Sequence, residues 1–338
     1  MKVAEPGSVR VGVLSGIPAL LRKHAPDSLD EIFADLEFEP ELLEDSENSL
    51  SFVLGGRLLD SCATHAGIPH FGLLLGQHTE PVKLGPFAEL STYAPDVNSA
   101  LRSLIMHISI HDRGGAPTLT RDHGTAKLGY AIYEPISIGI RQIYDLSLCM
   151  ICNILRSMLG ETWSPTEVHF SHARPSDIKA YELFFKAPLY FNADMDALTF
   201  SESWLAKPLP NADKQRFDLL LKQFEMLEVD MDIGLEEKIR SIVRPLIIIR
   251  SCKNKYVAEA LSLHPRTLNR RLQNEGITLR NLVGDVRFEM AKQMLLDSEA
   301  SITEISTLLG YTDSSILARS FQRWAGTTPS AWRTKNRW

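Results

Sequence analysis

The chain has 338 residues, 44% of them hydrophobic, and 36 Lys plus Arg against 42 Asp plus Glu for a net charge of −6. That is enough apolar material for two full cores and too much for a disordered chain. Cys62, Cys149, Cys152 and Cys252 are too few and too unevenly placed for a secreted disulfide scaffold, and no run approaches the roughly 20 apolar residues that span a bilayer.

The first apolar run, VGVLSGIPALL, holds a proline, lacks a small-residue cleavage site and is followed by Arg22 and Lys23, so a leader peptide is not expected and the location is read as cytoplasmic, with no membrane partner. Helical segments such as LLDSCATHAGI follow, ending in HFGLLLGQ. FAELSTY then reads as a strand, DVNSALRSLIMHISIH as a helix, and PTLTRD with KLGYAIYE as a strand pair. A long helix is expected from about Ile138 to Gly160. After it come a strand, VHFSHA, a helix, PSDIKAYELFFK, and a second pair, PLYFNAD with ALTFSES. The rhythm predicts an α+β domain of duplicated βαββ-like halves plus helices, with a ligand cleft at the seam.

Two spacings in this half invite chemistry. Cys149 and Cys152 form C-x-x-C, but on an apolar helix with no second pair, which reads as buried core with redox sensing as the lesser alternative. His107 and His111 lie four apart, a spacing that holds a metal on a helix face. Without the glutamate of H-E-x-x-H or a third ligand they read as structural, while His169 and His172 fall on opposite faces of a strand. No metal or cofactor is therefore expected. G-x-S-x-G, the phosphate-cradling G-x-x-x-x-G-K and the dinucleotide G-x-G-x-x-G are all absent, so no catalytic residue is assigned and an enzyme is disfavoured.

KPLPNADKQ marks an exit from this domain, and NADKQRFDLLLKQFEMLEV reads as a linking helix or a dimer contact. The boundaries expected are 1–208, a linker helix over 209–233, and 234–338. In the last span two stretches share one plan. YVAEALSLHPRTLNRRLQNEG, about 256–276, has a first helix burying Val257, Ala258 and Leu261, then a second that starts at Pro265 and buries Leu268 and Leu272. Its outward stripe is Arg266, Asn269, Arg270 and Gln273, at helical spacing. Arginine pairs with guanine O6 and N7, and asparagine or glutamine with adenine, so the stripe suits base edges. Arg271, Lys253, Lys255, Arg280 and Arg323 suit phosphates.

The second stretch, about 301–325, repeats the plan. Ser301 and Glu304 form a capping box, Gly310 ends the first helix, and the second buries Ile316, Leu317, Phe321 and Trp324 while Ser314, Ser315, Arg319 and Gln322 face out. Between the two, DVRFEMAKQMLLDS reads as a connecting helix of about fourteen residues, roughly 21 Å. This is an all-α domain of two helix-turn-helix modules, able to occupy successive major grooves about 34 Å apart once the attachment of the two reading helices supplies the rest of that distance. From 234 onward, 17 Lys plus Arg against 10 Asp plus Glu leave +7, so the remainder carries −13. A basic reader and an acidic partner domain follow from that split.

The motifs VAEALSLHPRTLNRRLQNEGIT, VRFEMAKQMLLD and ITEISTLLGYTDSSILARSFQRWAGTTPSAWR resemble those of the AraC-type transcriptional regulators (AraC/XylS). HFGLLLGQ, LGPFAELSTYAPDVNSALRSL and the span from VHFSHARPSD to WLAKPLP resemble the N-terminal domain called arabinose-binding-like in one branch of them. The resemblance implies contacts to double-stranded promoter or operator DNA by Arg266, Thr267, Asn269, Arg270 and Gln273 in the first module and by Ser314, Ser315, Arg319 and Arg323 in the second. It also implies a small-molecule effector of unknown site, a homodimer, and RNA polymerase as a partner if the protein is an activator. Two other readings stay open: constitutive DNA binding with an N-terminal domain that only dimerises, and an enzyme tethered to DNA.

Overall fold

A computed structural model describes residues 7–230, 234–298 and 300–336. The outer ends of the expected spans, 1–6 and 337–338, and the last three linker residues, 231–233, lie outside the described residues. A short ribbon, β1 (Ser8–Arg10) against β2 (Ser49–Ser51), brackets α1 (Ile17–His24) and α2 (Leu29–Asp35). Then come α3 (Phe52–His65), α4 (Phe71–His78), α5 (Pro86–Tyr93) and α6 (Val97–His107).

The strand expected over FAELSTY is the helix α5. Pro86 sits at its first turn, and Phe87, Leu90 and Ser91 are buried at helical, not alternating, spacing. The hairpin β3 (Gly115–Asp122) and β4 (Thr125–Ile132) forms as expected, followed by α7 (Ile140–Leu159), β5 (Glu167–His169), α8 (Lys179–Phe185), β6 (Leu189–Tyr190) and β7 (Asp196–Ser201). One sheet results, in the order β3-β4-β7-β5-β6, antiparallel except between β5 and β6, which α8 connects in parallel. Since α5 is a helix, the first half adds two strands to this sheet and the second three. The class is α+β.

The α4–α7 pair crosses at close range through Gly72 and Gly76. A Cβ at Gly72 would meet the Gln142 carbonyl oxygen at 2.0 Å, and one at Gly76 would meet the Cys149 Cβ at 2.4 Å. Gln142 fixes the crossing by accepting from the Gly72 N–H and donating to the Pro69 carbonyl. Cys149 and Cys152 are both fully buried here, and burial pushes the Cys152 thiol up to about 11.

After α9 (Lys214–Asp230) the chain is helical: α10 (Leu235–Ile248), α11 (Asn254–Ala260), α12 (Pro265–Asn274), α13 (Leu279–Asp297), α14 (Ile302–Leu308), α15 (Ser314–Ala325) and α16 (Pro329–Asn336). The connecting helix α13 has 19 residues rather than about fourteen, because behind the Thr278 cap it starts at Leu279, six residues before Asp285. Two apolar cores form. One joins the sheet to α1–α9; the other gathers α10 with the helices after it.

The cores meet at β4. Leu128, Tyr130 and Ile132 point into the first, whereas Tyr133, of opposite parity, packs on the second. Helix α10 lies against β3 and β4, and α11 against α6 and β3. Tyr256 donates to the Arg121 carbonyl at 3.2 Å and Gln293 to the Glu134 carboxylate. Among the described residues, no helix is long and apolar enough to cross a membrane.

Candidate nucleic-acid interface and N-terminal cavity

Helix α12 begins at Pro265 behind His264, whose Nδ1 accepts from the Arg266 N–H at 3.2 Å. Leu268 and Leu272 anchor it in the core, which turns Arg266, Asn269, Arg270 and Gln273 to solvent; Thr267 is half-buried. The Asn254 side chain, at the start of α11, donates to the Asn269 side-chain oxygen at 3.3 Å and so orients it. Lys253, Lys255, Arg271 and Arg280 are exposed around this helix, Lys255 in a loose pair with Glu259 at 3.8 Å.

The second module is built by local capping. The Ser301 hydroxyl accepts from the Glu304 N–H at 3.2 Å and the Glu304 carboxylate accepts from the Ser301 N–H at 2.6 Å, the reciprocal pair expected from sequence. Gly310 takes φ +73°, which lets the chain turn into α15. Asp313 then caps α15 by accepting from the Ser315 N–H at 2.6 Å. Leu317 and Phe321 are buried, with Ile316 and Trp324 half-buried at the edges of that face. Ser315, Arg319, Gln322 and Arg323 are exposed and Ser314 is half-buried, and the Arg323 guanidinium sits 5.9 Å from the Trp324 ring centre. All nine residues named for DNA contact thus lie on the two second helices. The first module presents Arg266, Asn269, Arg270 and Gln273, the second two serines beside Arg319 and Arg323.

The N-terminal half holds a cavity of about 140 Å³ between α3, α6, α7 and the β3–β4 hairpin, walled by Phe52, Leu101, Leu104, Leu128, Met150 and Ile151. Its polar part is His111, Asp112, Tyr130 and Ser147. Asp112 accepts from the Gly114 and Gly115 N–H groups at 2.9 Å and from the Tyr130 hydroxyl. Burial lifts its pKa to about 6, against the pull of those hydrogen bonds. Burial, and then the nearby Arg10, lower His111 to about 4, so its imidazole is neutral at pH 7. Arg10 itself is held by a two-pronged pair with Glu47 at 3.0–3.1 Å.

The two histidines of the metal-like spacing part company. His107 turns away from the cavity, and its Nδ1 lies 2.7 Å from Glu228 on α9, whose other oxygen lies 2.6 Å from the Lys238 ammonium on α10. His169 and His172 also take separate carboxylates, Glu167 and Asp145. Among the described residues, the groups able to share a metal are Glu31, Asp35 and His65, all exposed. Asp112, Tyr130, Ser147 and Glu228 went unread in the sequence because nothing in their local spacing distinguishes them. Of the cavity's polar residues, only His111 is singled out by the sequence, through its spacing from His107, and that spacing reads as structural rather than as part of a cavity.

Paired helix-turn-helix units displaying arginine, carried by a mixed α/β unit, define a DNA-binding regulator of transcription. Residues 28–209 match the family model described as the arabinose-binding domain of AraC transcription regulators, N-terminal, and 257–335 match a helix-turn-helix domain model. The chain is 27% identical over 329 residues, 96% of either chain, to the HTH-type transcriptional regulator VirS of Mycobacterium tuberculosis. It is 25% identical over 311 residues to the ornithine utilization regulator of Pseudomonas aeruginosa, covering 90% of this chain and 91% of that one. With the urease operon transcriptional activator of Escherichia coli it shares 38% over 235 residues, 61% of this chain and 77% of the other. The chain belongs to the AraC-type transcriptional regulators and carries their arabinose-binding-like N-terminal domain.

Proposed function

We propose that this regulator binds its operator through α12 and α15 and that a small molecule in the N-terminal cavity sets its affinity. Residues 1–208 then sense, 209–233 link and 234–338 read. The observation that carries this reading is a shared wall. Ile105 and Pro117 line the cavity on one side and, on the other, a small gap of about 30 Å³ against Ser241, Ile242 and Pro245 of α10 and Tyr256 of α11. A molecule that repacks Ile105 therefore presses on the helix that opens the first reading module. Such a molecule shifts the equilibrium only if it binds the DNA-competent and incompetent states unequally.

In the first module Arg266, Asn269, Arg270 and Gln273 read bases beside Thr267; Ser314, Ser315, Arg319 and Arg323 mainly fix position. Activation, stated for the urease operon relative by its name, is the direction favoured here, with RNA polymerase as the partner and the cytoplasm as the place. The test is titration of the protein's own upstream DNA with and without fractionated small metabolites. A fraction that changes affinity about 5- to 150-fold, a coupling of roughly 1–3 kcal/mol, supports control; no change with any fraction rejects it.

One observation favours the reading in which the N-terminal unit only dimerises. Along α9, Leu219, Met226 and Val229 are 58%, 67% and 75% exposed at a spacing of seven and three, the seam of a two-helix contact. The two readings are compatible if the effector acts on a dimer. They separate if an unrelated dimerising domain replaces residues 1–208 with no loss of regulation.

A further inference from the structure

We propose that the N-terminal cavity takes one uncharged, largely apolar molecule about the size of a single aromatic ring, held at one end by hydrogen bonds to His111 and Ser147, and that it rejects sugars. This assignment rests on the reading of the N-terminal unit as the sensing unit and names what that unit senses.

Size comes first. An apolar protein cavity of about 150 Å³ stays dry and accepts one benzene. The volume here is about 140 Å³, behind walls of aliphatic and aromatic side chains. A molecule of six to nine heavy atoms fills it.

The polar end comes second. His111 is 5% exposed, its ring lies edge-on to Phe87 with centres 5.9 Å apart, and it lines the cavity. As a neutral ring it offers one donor and one acceptor, and the Ser147 hydroxyl lines the same space. Asp112 and Tyr130 are already committed to each other. The cavity therefore has capacity for one hydrogen-bonding head.

Charge and hydroxyl count exclude the alternatives. A carboxylate would be buried beside Asp112 without a free counter-charge, and an ammonium would meet an Asp112 whose oxygens already accept from Gly114, Gly115 and Tyr130. A pentose would bring several hydroxyls, most of them facing Phe52, Leu101 or Leu128. Every hydroxyl left unpaired there lowers affinity by about tenfold. The arabinose in the name of the domain model does not match the chemistry of this wall.

The test uses the full-length protein, calorimetric titration and thermal shift, and five probes: benzyl alcohol, phenol, toluene, benzoate and L-arabinose. Benzyl alcohol and phenol are expected to bind and to raise Tm with concentration. Toluene, lacking the head, should bind about five- to tenfold more weakly, benzoate at least as weakly, and arabinose not measurably. His111→Leu should erase the difference between benzyl alcohol and toluene, and His111→Gln, which keeps a donor and an acceptor, should restore part of it. Ile151→Phe, which fills the cavity, should abolish binding of both while leaving the helical circular dichroism unchanged. Arabinose binding above the aromatic probes overturns the assignment, as does equal affinity for toluene and benzyl alcohol in the unaltered protein. If the expected ranking holds but operator affinity does not respond to any probe, the ligand class stands and the sensing reading fails. If no probe binds while a metabolite fraction changes operator affinity, sensing stands and the ligand class falls.

Discussion

The two halves of the molecule treat charge in opposite ways. The N-terminal half and α9 bury Arg10, His107, His111, Asp112, Asp145, Asp196 and Glu228, whereas among the described residues from Gly234 on the buried polar side chains are only Ser241 and Ser306. Burying an ionisable group costs stability unless partners are in place, so a half built that way has a conformation sensitive to what fills its gaps. A half that keeps its charges outside has a core indifferent to them and a surface free to meet phosphate. The contrast teaches where substitutions should act: on stability in the first half, on DNA in the second.

The largest effect tests the junction. Glu228→Ala leaves Lys238 without its carboxylate and His107 without its partner, and is expected to cost about 3–5 kcal/mol in urea denaturation, the loss typical of a half-removed buried pair. A cost below 1 kcal/mol would mean that this network is slack. Burial raises the Glu228 pKa, but the His107 bond and the Lys238 pair outweigh it, leaving it below the ordinary carboxylate value of 4.5. The stabilisation is thus present above that value and lost as pH falls through the lowered one.

Arg270→Ala should leave Tm unchanged, since Arg270 is exposed, yet weaken cognate binding by about 1–3 kcal/mol and relax preference at one base pair. Equal losses on cognate and scrambled DNA would make it a phosphate contact; a lowered Tm would break the contrast between the halves.

His111 gives the sharper pH test. Its pKa falls from 6.5 to about 4 on folding, so its contribution is full above 6.5 and is lost progressively as pH drops toward 4. Asp112, raised to about 6, works the other way in an overlapping range. Comparing His111→Leu with the unaltered protein isolates the histidine: the variant should lose roughly 1–2 kcal/mol less between pH 7 and pH 5. Parallel losses would show that His111 is not held neutral.

Smallest is Asp313→Ala. Removing this cap should cost about 1 kcal/mol of stability and weaken DNA binding only slightly, because the exposed Arg319 stays on the helix. A binding loss as large as that of Arg270→Ala would give the second module equal weight in reading.

What was legible in the sequence was local. The helix-turn-helix pairs declare themselves through Pro265, Gly310, the Ser301–Glu304 box and buried residues three and four apart, all within one or two turns of each other. FAELSTY misled because its aromatic and β-branched residues favour strands while Pro86 and the burial of Phe87 and Leu90 impose a helix. The cavity was illegible for a different reason. Phe52, Leu101, Leu128 and Ile151 come from four separate elements and His111 from a turn, and the His107–Glu228 contact spans 121 positions.

If the cavity holds the effector, the wall formed by Ile105 and Pro117 divides it into two territories for evolution or engineering. On the far side, at Phe52 and Leu59 of α3 or Met150 and Ile151 of α7, a change of side chain can retune which molecule is accepted while the response stays as it was. On the near side the same change also reaches α10 and α11, so a gain of new specificity arrives together with altered or inverted output. Lineages that diversify their ligands should therefore vary α3 and α7 first, and variants that respond in the opposite sense should trace to Ile105, Pro117 or the helix faces they touch.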